Sequence, residues 1–212
     1  MTLYGYWRSS AAYRVRIAMA IKGIDCEQRA VHLVKDGGEQ HGPVYRALNP
    51  AELVPTLVDG ELVLSQSLAI MEYLEETQGG PALLPSAPAE RARVRAFCQD
   101  IACDIHPVNN LRVLQYLQGE LGLSDGQKDD WYRHWLAVGF RALEQRLEAS
   151  AGRYAFGDTL TLADCCLVPQ VYNARRFKVD MAPYPTLNAV CARLEALDAF
   201  IAAAPEHQLD AH

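Results

Sequence analysis

The 212-residue chain has no C-x-x-C pair, and none of its six cysteines (Cys26, Cys98, Cys103, Cys165, Cys166 and Cys191) stands at metal-ligand spacing from a histidine. No metal site is therefore expected. The thiols are expected to be buried and reduced, as in a cytoplasmic protein. A long basic run is also missing, and 20 Lys and Arg stand against 26 Asp and Glu, for a net charge of −6. That balance suits nucleic acid poorly. No uncharged apolar stretch reaches the roughly eighteen residues of a membrane span. Internal repeats and low-complexity tracts are missing too. No acidic residue precedes Asp25, whereas Arg8, Arg14, Arg16 and Lys22 do. An Arg-rich start is also a transit-peptide trait, but here it carries a strand and a strongly patterned helix, so it is taken as the first piece of the fold. With no unbroken apolar segment behind a basic start, a secretory signal is not expected.

What is present is an ordinary globular composition, 50% hydrophobic and 22% charged, and a length that fits one large domain or two small ones. Up to about Thr77 strands and helices alternate. Residues 2–6 read as a strand. Residues 10–23 read as a helix, with Ile17, Ala20, Ile21 and Ile24 recurring at helical spacing. Residues 27–33 form a second strand, followed by a polar loop over 35–42 and a short helix over 43–48. Asp59-Gly60-Glu61 between two apolar runs marks a hairpin, and residues 65–77 a helix. The Gly- and Pro-rich stretch 79–88 breaks all periodicity and reads as a linker. Beyond it only helices are expected: from Val94 to about Gly119, and over 131–149, 162–176 and 186–203. The expected organisation is a thioredoxin-like α/β domain over 1–78, a linker over 79–88 and an all-α domain over 89–212.

Several local signals are chemically suggestive. Ser9 and Ser10 sit where the first strand hands over to a helix, where free N–H groups and the positive end of the helix dipole favour an anion such as a thiolate. An ordinary N-cap is the competing reading. Val54-Pro55-Thr56 opens a strand with a proline that is either a plain trans residue or a cis one presenting the Val54 backbone to a peptide-like ligand. Gln66-Ser67 begins the third helix, either as a simple cap or as a carboxylate site. Gln40, in the polar loop, reads as a surface residue. Thr161-Leu162-Ala163-Asp164 has the S/T-x-x-D form of a structural capping box. In residues 105–112 Pro107 interrupts a helix. His106 and Asn110 share a face there, and Arg112 lies about 120° from His106 on an ideal helix. A kinked helix with solvated polar groups accounts for the segment equally well.

The order of these signals resembles the glutathione transferases. Residues 8–18, Leu48-Asn49-Pro50, Val54-Pro55-Thr56-Leu57, residues 66–76, Gly157-Asp158 with Asp164, and residues 176–180 are similar to the zeta class in particular. The resemblance covers nearly the whole chain. It implies the glutathione transferase fold, bound glutathione and a homodimer. It places the γ-glutamyl end at Gln66 and Ser67, the cysteinyl backbone at Val54 before a cis Pro55, and the glycyl side at Gln40. The sulfur falls beside Ser9, Ser10 and Ala11, and His106 and Asn110 also become candidate glutathione contacts. Arg8, His106, Asn110, Arg112 and Arg176 become candidates for the substrate. Arginine suits carboxylates because its planar fork engages both oxygens.

Zeta-class members include maleylacetoacetate and maleylpyruvate isomerases of aromatic-compound catabolism. The resemblance implies thiolate addition to a cis double bond, rotation and elimination to the trans isomer. Ser9, with Ser10 in reserve, becomes the residue that holds the thiolate. A hydroxyl bonded to the charged sulfur is worth about 1.5–3 kcal/mol, or roughly one to two pKa units below the free thiol's ~8.5. The chain departs from many zeta members at Ala11, where they carry cysteine. An enzyme thiol, and a mixed disulfide with glutathione, are thereby excluded at that position. This favours maleylpyruvate as substrate, with maleylacetoacetate the alternative. A general conjugating transferase, a thiol-transfer enzyme and a non-enzymatic glutathione-binding protein fit the turn and the arginines less well.

Overall fold

The computed structural model describes residues 1–211 and divides into two compact units, one of residues 1–83 with 196–211, the other of residues 84–195.

In the first unit β1 (Thr2–Gly5), α1 (Ser10–Lys22), β2 (Glu27–Ala30), α2 (Pro43–Leu48), β3 (Thr56–Asp59), β4 (Leu62–Ser65) and α3 (Ser67–Thr77) follow the expected β-α-β-α-β-β-α order. The sheet order is β2-β1-β3-β4. β1 pairs parallel with β2 (Leu3 with Gln28) and antiparallel with β3 (Leu3 with Leu57), and the β3–β4 hairpin pairs Leu57 with Leu64. The second strand ends at Ala30, three residues short of the expected run. α1 is buried on almost all sides. Ala12, Val15, Ile17 and Ala18 are fully covered, and even Arg14, Arg16 and Lys22 are buried. It ends at Gly23, whose φ of 67° lets Gly23 N–H reach Ala20 O and Ile24 N–H reach Met19 O. That is a Schellman-type stop, and a left-handed φ suits glycine because it has no Cβ.

The stretch expected as a linker is partly docked on this unit. Lys22 Nζ donates to Glu75 and to Pro81 O, and Leu83, 1% exposed, donates its N–H to Glu75. α10 (Asp198–Ala203) also packs on α1, so residues 196–211 group with the α/β unit although the sequence pattern assigns them to the helical one.

The second unit holds α4 (Pro88–Gln99), a π-helical segment Asp100–Ile105, α5 (His106–Val108), α6 (Leu111–Gly119), α7 (Asp125–Ser150), α8 (Leu162–Arg176) and α9 (Pro185–Glu195). The helical stretch expected from Val94 to about Gly119 is divided among α4, the π-helical segment, α5 and α6: the expected interruption at Pro107 removes a backbone donor, and a π turn before it inserts a residue. α7 starts six residues before the expected Trp131, at a capping box in which Ser124 and Gln127 satisfy each other's backbone donors. Its inward stripe is Tyr132, Leu136, Phe140, Leu143 and Leu147. The helix expected over 186–203 is two, α9 and α10, separated at Ala196–Leu197. The buried Glu144 carboxylate accepts the Thr186 and Leu187 N–H groups at 2.7 and 2.8 Å, so it satisfies open donors at the start of α9. Asp164, fully buried, accepts from Thr161 N, Thr161 Oγ1 and Ala155 N, completing the expected capping box. Cys98, Cys165, Cys166 and Cys191 are buried as expected, whereas Cys103 is exposed.

Candidate active site

The turn Tyr6–Ser10 ends β1 and starts α1. Ser9 is the N-cap, and its Oγ accepts the Ala12 N–H at 3.2 Å. The cap reading is therefore right, and it is compatible with the thiolate reading. A hydroxyl that accepts on its oxygen keeps its own proton to donate elsewhere. Ser10 is buried, 5% exposed, while Ser9 and Ala11 are half-buried, so Ser9 is the more accessible of the two hydroxyls. Arg8 Nη2 donates to Tyr6 Oη at 3.0 Å, and its guanidinium carbon lies 4.8 Å from the Trp7 ring centroid. Arg8 Nε is buried with no hydrogen-bond partner among the described residues. An orphaned cationic donor of this kind is costly unless something anionic meets it.

The Val54–Pro55 bond is cis. The preceding loop is framed by Tyr45 and Asn49. Tyr45 Oη donates to Leu53 O (2.7 Å) and pairs with Thr56 Oγ1 (2.9 Å), and Asn49 Nδ2 donates to the same two oxygens at 2.8 and 3.1 Å. Burial of the phenol raises the Tyr45 pKa, which keeps it a neutral donor. Leu48-Asn49-Pro50 carried part of the family resemblance, but nothing local in the sequence assigned Tyr45 or Asn49 this framing role.

Gln40 is not the surface residue its polar loop suggested. It is 5% exposed, its Nε2 donates to Leu33 O at 3.3 Å, and its buried Oε1 has no partner among the described residues. Gly38 permits this: a Cβ there would stand 2.5 Å from the Gln40 amide nitrogen. Gln66, rather than Ser67, is the N-cap of α3. Its φ is 72°, a left-handed value that a non-glycine residue adopts at a cost, and its side chain makes no capping bond among the described residues. Such strain concentrates at ligand sites. Ser67 is the first helical residue, and its buried Oγ accepts from Arg14 Nη1 at 3.2 Å. Arg14, 1% exposed, thus supports a candidate ligand residue. In the sequence it was one arginine among several in α1.

In the helical unit, His106 and Asn110 do meet, with Asn110 Nδ2 3.3 Å from His106 Nε2. Asn110 is also the N-cap of α6, accepting the Arg112 N–H at 3.2 Å. The helix is not ideal between them, since Asn109 and Asn110 leave helical geometry, so the 120° relation of Arg112 to His106 does not apply. Arg112 is exposed at the start of α6. Trp131 Nε1 pins this segment by donating to Val108 O at 2.9 Å. Asn109, 7% exposed, has both amide atoms buried without a partner among the described residues. At the end of α8 the Arg176 guanidinium lies 4.9 Å from the Phe177 ring and bonds the Tyr132 hydroxyl, whose pKa burial drives well up. Tyr132 stacks on Phe177 with centroids 3.6 Å apart, which braces the residue beside Arg176. No helix among the described residues is long and apolar enough to cross a membrane.

An α/β unit with a cis proline before its third strand, a half-buried polar turn at α1 and a strained start to α3 defines the class. The family model "Glutathione S-transferase, N-terminal domain" matches residues 3–82, and "Glutathione S-transferase, C-terminal domain" matches residues 129–193. The chain is 60% identical over 211 residues to the probable maleylacetoacetate isomerase of Vibrio cholerae, covering 100% of this chain and 98% of that one. It is similar to the holo structure of maleyl pyruvate isomerase, a bacterial glutathione S-transferase in the zeta class, at 49% identity and a TM-score of 0.96, with 100% of both chains covered. A maleylacetoacetate isomerase structure from Methylobacterium extorquens AM1, with bound malonate and glutathione, has a TM-score of 0.96 at 42% identity, again over 100% of both chains. The chain belongs to the glutathione S-transferase family, within its zeta-class maleylpyruvate and maleylacetoacetate isomerase branch.

Proposed function

We propose that the chain is a glutathione-dependent cis–trans isomerase that converts maleylpyruvate to fumarylpyruvate, in the cytoplasm and as a homodimer. The observation that carries the reading is the Ser9 hydroxyl, which accepts from the head of α1 and keeps its proton to donate outward. Gln66, Ser67, Val54 beside Pro55, and Gln40 are the proposed holders of glutathione, with His106 and Asn110 as further contacts. The unspent Gln40 Oε1 and the uncapping Gln66 side chain fit that role, since each is a polar group with no other task among the described residues. Bound glutathione supplies a thiolate that adds reversibly to an activated double bond and leaves again.

The chain's own residues have three tasks. Ser9 donates to the sulfur and favours its ionised form. Ser10, buried, is the reserve. Arg8, Arg112 and Arg176 anchor the substrate's carboxylates. Arg8, Arg112 or His106 offsets the negative charge that develops on the keto end. An acidic protein that binds a dianion needs such local cations.

Ala11 is the reason for choosing maleylpyruvate, because the turn offers no enzyme thiol and glutathione is then the sole sulfur nucleophile there. Maleylacetoacetate is the second reading, favoured by the name of the 60% identical Vibrio cholerae relative. The purified protein with catalytic glutathione should consume maleylpyruvate without consuming glutathione. Turnover of maleylacetoacetate alone would reverse the substrate, and stoichiometric loss of glutathione would make the chain a conjugating enzyme.

A further inference from the structure

We propose that Asp210 is a positioning residue for the turn that carries Arg8 and Ser9. Besides the bonds that Ser9 O and Oγ accept from Tyr13 and Ala12 of α1, three bonds to main-chain groups hold that turn. Ser9 N–H donates to Tyr6 O at 2.9 Å within it. The other two come from outside. Trp7 N–H donates to Asp210 Oδ2 at 3.0 Å, across 203 residues of sequence, and Trp7 O accepts from Arg16 Nη2 at 3.0 Å. Arg16 is itself fixed by donating from Nε to Ala203 O at 3.1 Å. The segment 196–211 thus grips the peptide groups on both sides of the Trp7 Cα, one directly and one through Arg16.

The electrostatics agree with the geometry. Burial pushes the Arg16 guanidinium down to about 10, and the Asp210 carboxylate opposes that loss. The pair therefore keeps a buried cation on the Trp7 carbonyl. Trp7 in turn backs Arg8 through ring contact and packs on the Tyr6, Val31, Tyr45 and Val54 cluster. A shift of the Trp7 peptide would move Arg8 and Ser9 together.

Around Asp210 itself the packing is loose. A cavity of about 240 Å³ lies under this end of the chain, lined by Trp7, Arg16, Arg29, His207 and Asp210 among others, and Leu209 is 91% exposed. The Asp210 hydrogen bond therefore crosses an incompletely filled space, while the apolar packing of this segment lies further back, where Phe200 and Ala203 are buried.

The inference rests on the reading of Ser9 as the thiolate's hydrogen-bond donor, and the test separates the two. The ionisation of bound glutathione is followed by thiolate absorbance against pH, with kcat and KM for maleylpyruvate. Wild type is compared with Asp210→Ala, Asp210→Asn, Leu209→Ala and Ser9→Ala, and calorimetry with S-methylglutathione reports binding without a thiol. Asp210→Ala should raise the thiolate pKa by about one unit and lower kcat roughly tenfold, within the loss that an ångström-scale misplacement causes. Binding of S-methylglutathione should stay within about twofold of wild type. Asp210→Asn, which keeps an acceptor for Trp7 N–H, should recover most of kcat, and Leu209→Ala should match wild type. If Ser9→Ala shifts the titration and Asp210→Ala does not, the positioning role is overturned and the Ser9 reading stands. If Ser9→Ala leaves the titration unmoved, both fall. Loss of S-methylglutathione binding in step with thermal stability in Asp210→Ala would reduce Asp210 to a structural tie and also overturn the proposal.

Discussion

Ser9 carries two loads, an observed cap and a proposed bond to sulfur, which one substitution removes together and a second separates. Ser9→Ala deletes the acceptor for Ala12 N–H at 3.2 Å, an N-cap loss of about 1 kcal/mol. For a chain of this size that is a fall in Tm of roughly 2–4 °C. It also deletes the proposed donor to sulfur. If that bond is worth about 2 kcal/mol, bound thiol with a pKa near 7 returns to about 8.5. At about pH 7 the ionised fraction then drops from roughly one half to about 3%, and kcat/KM falls about 15-fold. Above about pH 9.5 both enzymes hold nearly full thiolate, so the rates should converge. Ser9→Gly isolates the second load, because glycine at an N-cap costs only a few tenths of a kcal/mol. The pH–rate profile should shift equally in both variants, while only Ser9→Ala loses appreciable stability. An unshifted profile in Ser9→Gly, with activity retained at about pH 7, would show that Ser9 is a helix cap and nothing more.

Three other perturbations follow from the geometry. Burial raises the Asp164 carboxyl from 3.8 to about 6, against the hydrogen bonds that Ala155 and Thr161 donate to it. The folded state therefore favours the protonated acid, and that stabilisation is full below the unfolded pKa and lost as pH rises through about 6. Asp164→Asn has no such proton, so the stability gap from wild type should narrow by roughly 2 kcal/mol between about pH 4.5 and about pH 7.5 in denaturant titrations. A gap independent of pH counts against the raised carboxyl. In Gly139→Ala the new Cβ would stand 2.4 Å from Ile105 Cδ1, on the π-helical segment leading to His106. Overpacking should exceed alanine's gain of about 1 kcal/mol in helix propensity, for a net loss of about 1–2 kcal/mol, and Ile105→Val should restore part of it. A variant more stable than wild type would refute the close approach. Arg176→Ala should raise KM for the dicarboxylate about tenfold or more through a lost charge-assisted bond, with glutathione affinity nearly intact by calorimetry. Equal loss of both ligands would remove Arg176 from the substrate role.

Local patterns in the chain were enough to place the β-α-β-α-β-β-α order, the Asp59-Gly60 hairpin and the Thr161–Asp164 capping box. Each of these is written in residues two to four apart, within the range of one helical turn or one strand pleat. The helical interval from Val94 to Gly119 was legible as helix but not as a helix broken by a π turn. The segment lies against α7, where Ile105 approaches Gly139, a neighbour with no sequence relation to it. Ser9, Gln66, Ser67, His106 and Asn110 were visible as polar groups at helix starts or on one helix face. Arg14 under Ser67, and Tyr45 and Asn49 framing the loop before Pro55, were not visible in those roles, because their partners lie 53, 11 and 7 residues away.

Sequence by itself determined the type and order of the elements in the first 77 residues and the capping box at Thr161–Asp164, since caps, turns and periodicity act over a few bonds, whereas the ends of β2 and α7 and the split at Ala196–Leu197 were set by the fold. Only the tertiary structure decided the cis form of Val54–Pro55, the burial of Gln40 and the pairing of Ser67 with Arg14. It alone joined Trp7 to Asp210. Burial and hydrogen-bond partnership belong to the folded space around a residue, and a donor and acceptor 203 positions apart become neighbours only when the chain closes on itself.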